Sequence, residues 1–240
     1  MNLVNKVRQL WQLLLPSPCL WCSLAVADHQ QLLCADCQQA LPALPYEVCH
    51  YNLLWLPAVS SGLAVVHFDS LLSLGWYQLP YQHWIRRWKF QGDPFAAALM
   101  QQQFQILLLR YAAAGQPLPE AIVYVPMHAQ KEHQRGFNQA RILAESAAKQ
   151  LQIPLLDVLK RSKETVSQVG LNRQERLRNL TGAFQLVTTT PLPAHLALVD
   201  DVVTTGTTAN QLAILLRQHG VTQLSLWTLA VTPQADHSSA

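Results

Sequence analysis

The sequence is poor in charge. Asp, Glu, Lys and Arg make up 13% of its 240 residues, and the formal balance at pH 7 is only +3. Half of the residues are hydrophobic, so the low charge marks a chain with a core and excludes a disordered one. The mild positive balance permits an anionic partner but supplies no dense Lys/Arg face of the kind strongly basic binders carry. Long apolar runs are missing too. None approaches the ~18 residues that a membrane span needs, and no span is expected. The nucleotide-binding pattern GxxxxGK[ST] is absent. So are the marks of a secretory signal. "MNLVNKVRQLWQLLLPSP" has a basic start and an apolar patch at 10–15, but Pro16 and Pro18 interrupt it and no small-x-small cleavage site follows. An amphipathic helix is expected there, in a cytoplasmic protein.

Cysteine is scarce but clustered. Four of the five form Cys19-Leu-Trp-Cys22 and Cys34-Ala-Asp-Cys37. Two residues between thiolates let one tight turn offer both to a single ion, and two such knuckles complete a tetrahedral Zn²⁺ site. A disulfide pair is the competing reading, and a reducing compartment disfavours it. Four thiolate ligands leave no open position, so the ion is expected to be structural. Residues 1–55 are too few for a self-sufficient core, whereas structural Zn²⁺ contributes roughly 10–16 kcal/mol. They are expected to form an N-terminal helix and a zinc-ribbon-like domain, with residues 56–240 as a second domain. Cys49 reads as a small buried apolar residue.

Downstream, proline-punctuated stretches at 41–46 and 55–58 read as linker and turns. Residues 63–68 are a candidate strand. "YQHWIRRWKFQGD" places Trp84, Ile85 and Trp88 at helical spacing, with Arg86, Arg87 and Lys89 between them and Gly92 as a stop. Basic residues among aromatics suit nucleic acid, but Trp in the core and Arg in water is the favoured reading. A long helix over 95–114 and a short apolar strand over 121–125 follow. "MHAQKEHQRGFNQ" reads as a polar loop, with Asn138 capping a helix that runs to about Leu151. Residues 160–178 carry six Lys or Arg residues and read as a solvated helix face or a mobile basic loop. Residues 182–187 read as a strand.

The densest chemistry is in "LALVDDVVTTGTTANQL", residues 196–212. Leu196–Val199 reads as a buried strand, residues 209–219 as a helix and residues 221–231 as the next strand. This is a βαβ unit in a parallel sheet, so the fold class is α/β. The loop then lies at the carboxyl end of a strand and the N-terminus of a helix, where such sheets bind ligands. Backbone N–H groups and the hydroxyls of Thr204, Thr205, Thr207 and Thr208 suit a phosphate, and Gly206 lets it approach. Adjacent carboxylates at Asp200 and Asp201 cannot hold a phosphate. They can accept hydrogen bonds from vicinal hydroxyls, or hold Mg²⁺ directly or through water. Together the residues suit a ribose 5-phosphate group.

At these residues the sequence resembles the signature of type I phosphoribosyltransferases, which bind phosphoribosyl pyrophosphate. "CLWC…CADC", "IRRWKFQGD", "VPMHAQKEHQRGFNQA", "KRSKETVSQVGLNRQERLRNLTGAF" and "LALVDDVVTTGTT" come in an order similar to that of the ComF-like (competence protein F) family, which includes DNA utilisation proteins. The resemblance covers nearly the whole chain. It implies a type I phosphoribosyltransferase-like parallel sheet flanked by helices. By position it implies that Asp200 and Asp201 contact ribose hydroxyls and that residues 204–208 hold the 5-phosphate. It also puts residues 126–131 near the pyrophosphate, with Arg135 and Gln139 close by, and makes residues 161–176 a mobile loop. Lys131, Arg135 and Arg161 are then candidate catalytic cations, alongside Mg²⁺. No base-binding hood is recognisable. The functions implied are a role in DNA uptake or utilisation with a phosphoribosyl pyrophosphate or related sugar phosphate as ligand, or active phosphoribosyl transfer to a base or amine. A third is a Zn²⁺-dependent module binding single-stranded DNA or DNA-uptake proteins.

Overall fold

A computed structural model describes residues 17–28, 31–63, 65–161 and 183–233. The amphipathic helix expected before residue 17 and all but Arg161 of the mobile loop expected over 161–176 lie outside these residues.

The cysteine segment is built from turns. Cys19 N–H donates to Leu24 O, Ser23 N–H donates to Cys19 O, and Pro18 pairs with Ala25, so the first knuckle folds back on itself. The second knuckle starts helix α1 (Ala35–Gln39), with Cys34 as its N-cap. Short helices α2 (Tyr46–Cys49) and α3 (Pro57–Ser60) lead toward the sheet. Cys49 is fully buried, as a small apolar residue should be.

A four-stranded parallel sheet forms the centre. Its strands are β1 (Ser70–Trp76), β2 (Ala121–Tyr124), β5 (His195–Val203) and β6 (Gln223–Val231), in the order β1-β6-β5-β2. Leu155 adds a parallel bridge to Ile122 outside β2. Strands covered by helices on both faces need near-continuous apolar runs, and Leu196, Ala197, Leu198 and Val199 of β5 have no exposed surface. A separate antiparallel pair, β3 (Leu159–Arg161) and β4 (Phe184–Leu186), flanks the undescribed segment.

Around the sheet run α4 (Tyr81–Gln91), α5 (Pro94–Ala113), α6 (Ala129–Arg135), α7 (Gln139–Leu151) and α8 (Thr207–Gln218). In α4, Trp84, Ile85 and Trp88 are buried, which agrees with the core reading of that helix. Gly92 ends it at φ +65°, a backbone angle that side chains with a Cβ resist. Asp93 caps α5 by accepting from Phe95 and Ala96 N–H, and Asn138 caps α7 by accepting from Ala140 N–H.

Some expectations need correction. None of the described residues of 63–68 lies in a strand; β1 begins at Ser70. At Val65 and His67 backbone polar groups bond side chains of α8 instead of a sheet neighbour. Asn210 Oδ1 accepts from His67 N–H, Asn210 Nδ2 donates to Val65 O, and Arg217 Nε donates to His67 O. The segment over 127–139 is not wholly a loop, because α6 lies inside it between His128 as N-cap and Gly136 as C-cap. Strand β5 continues beyond Val199 through both acids, α8 starts two residues before Ala209, and β6 starts two residues after Val221.

Candidate functional site

Strand β5 carries Asp200 and Asp201 near its carboxyl end, half-buried in the sheet. Successive strand residues leave opposite faces, yet Lys89 of α4 lies close enough to feel the charge of both acids. Lys89 of α4 reaches Asp201, with Nζ 2.5 Å from Oδ2. The other oxygen, Oδ1, accepts from Val202 N–H at 2.8 Å, and Asp200 Oδ1 accepts from Asp201 N–H at 2.8 Å. Arg135 of α6 lies close enough to Asp201 to feel its charge, and Arg161 of β3 close enough to feel that of Asp200.

These surroundings divide the two acids. Burial, together with the negative charge of Asp201, pushes the Asp200 carboxyl up to about 8. Burial pulls Lys89 downward, but the adjacent Asp201 outweighs it and leaves the ammonium raised. Asp201 is thus the partner of an ammonium ion and Asp200 a group that holds its proton near neutrality. Beside Asp200 in the register of β6 stands Thr228, fully buried, whose hydroxyl has no hydrogen-bond partner among the described residues.

The threonine loop follows at once. Gly206 is the N-cap of α8 at φ +70°, and no side chain caps that terminus. A Cβ at Gly206 would stand 3.1 Å from Leu63 Cδ2. Thr204 is exposed, Thr205 and Thr208 are half-buried, and Thr207 is buried. The Thr205 and Thr207 hydroxyls bond each other at 2.8 Å. The first-turn N–H groups of a 12-residue helix and the threonine hydroxyls therefore come from one short stretch of chain, a combination suited to an anion.

Of the three candidate cations, Arg135 and Arg161 converge on the acids. Arg135 Nη1 also donates to Gln139 Oε1 at 2.9 Å, while the buried Gln139 Nε2 has no partner among the described residues. Arg161 packs over the Phe184 ring, 5.4 Å from its centroid. Lys131 lies on α6, one turn from Arg135, and makes no ion pair with either acid among the described residues. Lys89 was not among the expected site residues. Its one signal in the sequence is its place four residues after Ile85, which continues the buried stripe of α4.

The second constellation is the cysteine cluster. The sulfurs of Cys19, Cys22, Cys34 and Cys37 lie within 4.8 Å of one another, and none is in a disulfide. Cys22 and Cys34 Sγ are 3.8 Å apart, close to the ~3.8 Å edge of a tetrahedron whose Zn–S bonds are ~2.3 Å. Trp21 N–H donates to Cys19 Sγ and Cys37 N–H to Cys34 Sγ, each at 3.4 Å, which favours thiolate sulfur. Burial pushes the Cys19 thiol up, but backbone donors at Cys22, Cys34 and Trp21 outweigh it and bring it to about 6. Burial and the neighbouring cysteines hold Cys37 well above its ordinary range. The donor set fits a metal ion such as zinc. The cluster is tied to the helices over the sheet: Trp84 Nε1 donates to Leu20 O at 3.3 Å, and Trp21 packs edge-on against Trp84. Among the described residues no helix is long and apolar enough to cross a membrane.

No protein-family model matches the chain. It is 33% identical over 219 residues to Competence protein F of Haemophilus influenzae, a match covering 88% of this chain and 96% of the other. DNA utilization protein YhgH of Salmonella typhi is 30% identical over 235 residues, covering 92% and 99%. Competence protein ComFC of Streptococcus pneumoniae is 25% identical over 218 residues, covering 86% and 90%. A similarity of this depth, running the length of both chains, places the protein in the ComF-like (competence protein F) family.

Proposed function

We propose that the protein takes part in DNA uptake or utilisation and that the end of β5 with the threonine loop binds a ribose 5-phosphate group, as in phosphoribosyl pyrophosphate. The role follows the names of its relatives. The ligand rests on one observation above the others: two adjacent carboxylates near the carboxyl end of a parallel strand come shortly before an uncapped helix N-terminus opened by a left-handed glycine. Asp200 and Asp201 take the ribose hydroxyls. The N–H groups and hydroxyls of residues 204–208 take the 5-phosphate. Neutral and charge-assisted hydrogen bonds share this work, because a helix terminus alone supplies only ~0.3–1 kcal/mol.

In this reading Mg²⁺ belongs with the diphosphate of phosphoribosyl pyrophosphate, and Zn²⁺ holds the four cysteines of a domain covering residues 1–55. Phosphoribosyl transfer is a second reading, favoured by Arg135 and Arg161 near the acids. Pyrophosphate leaves from a cation-like sugar, so cations that stabilise the leaving group would supply much of the catalysis. Lys131, one helical turn from Arg135, belongs to the same set. The role is tested by deleting the gene and measuring DNA uptake and growth on DNA. Loss that the wild-type gene restores, and D201N does not, supports both parts of the proposal. Undiminished uptake and growth after deletion would refute the role.

A further inference from the structure

Both oxygens of Asp201 are already engaged by the chain. Oδ1 accepts from Val202 N–H, and Oδ2 is paired with Lys89 Nζ at 2.5 Å. Magnesium bound directly to Oδ2 would sit ~2.0–2.1 Å away in near-octahedral geometry, competing for the space and charge that the ammonium ion holds. Lys89 is not a loose surface arm. Its side chain is 28% exposed and that of Asp201 13%. Trp84, Ile85 and Trp88 bury one face of α4, Gly92 ends the helix, and Arg87 pairs with Asp93, the residue that caps α5. Arg135 and Arg161 add two further positive charges beside the same carboxylates. Three cations around two acids favour an anionic ligand over a dication.

Resting on the phosphosugar reading of this site, we infer that Lys89 occupies the place a divalent cation would take on the acid pair. The protein therefore binds a sugar phosphate there without metal bridging to Asp201. Lys89 is a positioning residue: it fixes the Asp201 carboxylate and neutralises it, leaving the carboxylate's remaining lone pairs to the sugar hydroxyls.

The test has two arms, both on the zinc-loaded full chain. In the first, Mn²⁺ is titrated into wild type, Lys89→Gln, Lys89→Arg and the Lys89→Gln/Asp201→Asn double variant, and water-proton relaxation is followed. Lys89→Gln should bind Mn²⁺ about tenfold or more tightly than wild type, the scale of one charged contact. Asp201→Asn should abolish that gain, and Lys89→Arg should behave as wild type. No gain in Lys89→Gln, or a gain that survives loss of Asp201, overturns the inference. In the second arm, ribose 5-phosphate binding is measured with and without Mg²⁺. Wild type should be indifferent to Mg²⁺ and Lys89→Gln dependent on it. A Mg²⁺ requirement in wild type overturns the inference. Failure of ribose 5-phosphate to bind either protein refutes the phosphosugar reading instead, and the Mn²⁺ titration still decides the place of Lys89.

Discussion

Lys89 and Asp201 lie 112 residues apart in sequence and meet as a hydrogen-bonded ion pair at the carboxyl end of the sheet. The pair joins α4, whose buried residues include two core tryptophans, to the strand that carries both acids. Because both side chains are mostly withdrawn from water, removing one strands the other. Lys89→Met and Asp201→Asn should each destabilise the protein by about 1–3 kcal/mol. The double variant should lose much less than the sum, as urea denaturation in a double-mutant cycle would show. Additive losses would mean that the two groups do not interact in solution.

The cysteine cluster makes a separate prediction. The purified protein should contain one zinc ion per chain by elemental analysis. Cys19→Ser or Cys34→Ser should lose it, together with the contacts of Leu20 and Trp21 to Trp84. Metal ligands must be deprotonated, so zinc release by a chelator should accelerate as the pH falls. Full stability in a metal-free protein would contradict a structural ion.

Gly206 has two reasons to be glycine, its left-handed backbone and its closeness to Leu63. Gly206→Ala should cost about 1–2 kcal/mol through the backbone conformation alone. It should also weaken sugar-phosphate binding more than stability, because displacement of the loop shifts several N–H donors together. Calorimetry beside thermal melts separates these effects.

Asp200 gives a pH signature. Its folded value of about 8 lies above the ordinary 3.8. The unfolded chain therefore releases this proton first as the pH rises. The carboxyl contributes no penalty below about pH 4, a growing one toward pH 8 and a constant one above. Asp200→Asn removes it. The variant should match wild type near pH 4 and exceed it by about 1–3 kcal/mol near pH 8, a range that allows for the partial exposure of the carboxyl. Denaturation series at both pH values would show this, and a gain that is flat with pH would contradict it.

Local chemistry is what the sequence made legible. Asp93 and Asn138 cap helices, Gly92 ends one, and the strand–acid–threonine–helix order of residues 196–212 stands in the fold because each part depends on residues a few places away. Residues 63–68 look like a strand because they are mostly apolar, but the remote Asn210 and Arg217 take backbone hydrogen bonds of Val65 and His67. Helix α6 buries no residue and so leaves no apolar period to find; its signals are its end caps. Lys89 sits in a motif whose tryptophans read correctly as core. Nothing within ten residues of it reveals that its partner is Asp201.

The most direct test of the account is calorimetric titration of phosphoribosyl pyrophosphate into wild type and into the Asp200→Asn/Asp201→Asn variant. The account predicts one molecule bound per wild-type chain and affinity reduced by about a hundredfold or more in the variant, on the scale of two lost polar contacts. Equal binding by both proteins, or none by a folded, zinc-loaded wild type, would contradict it.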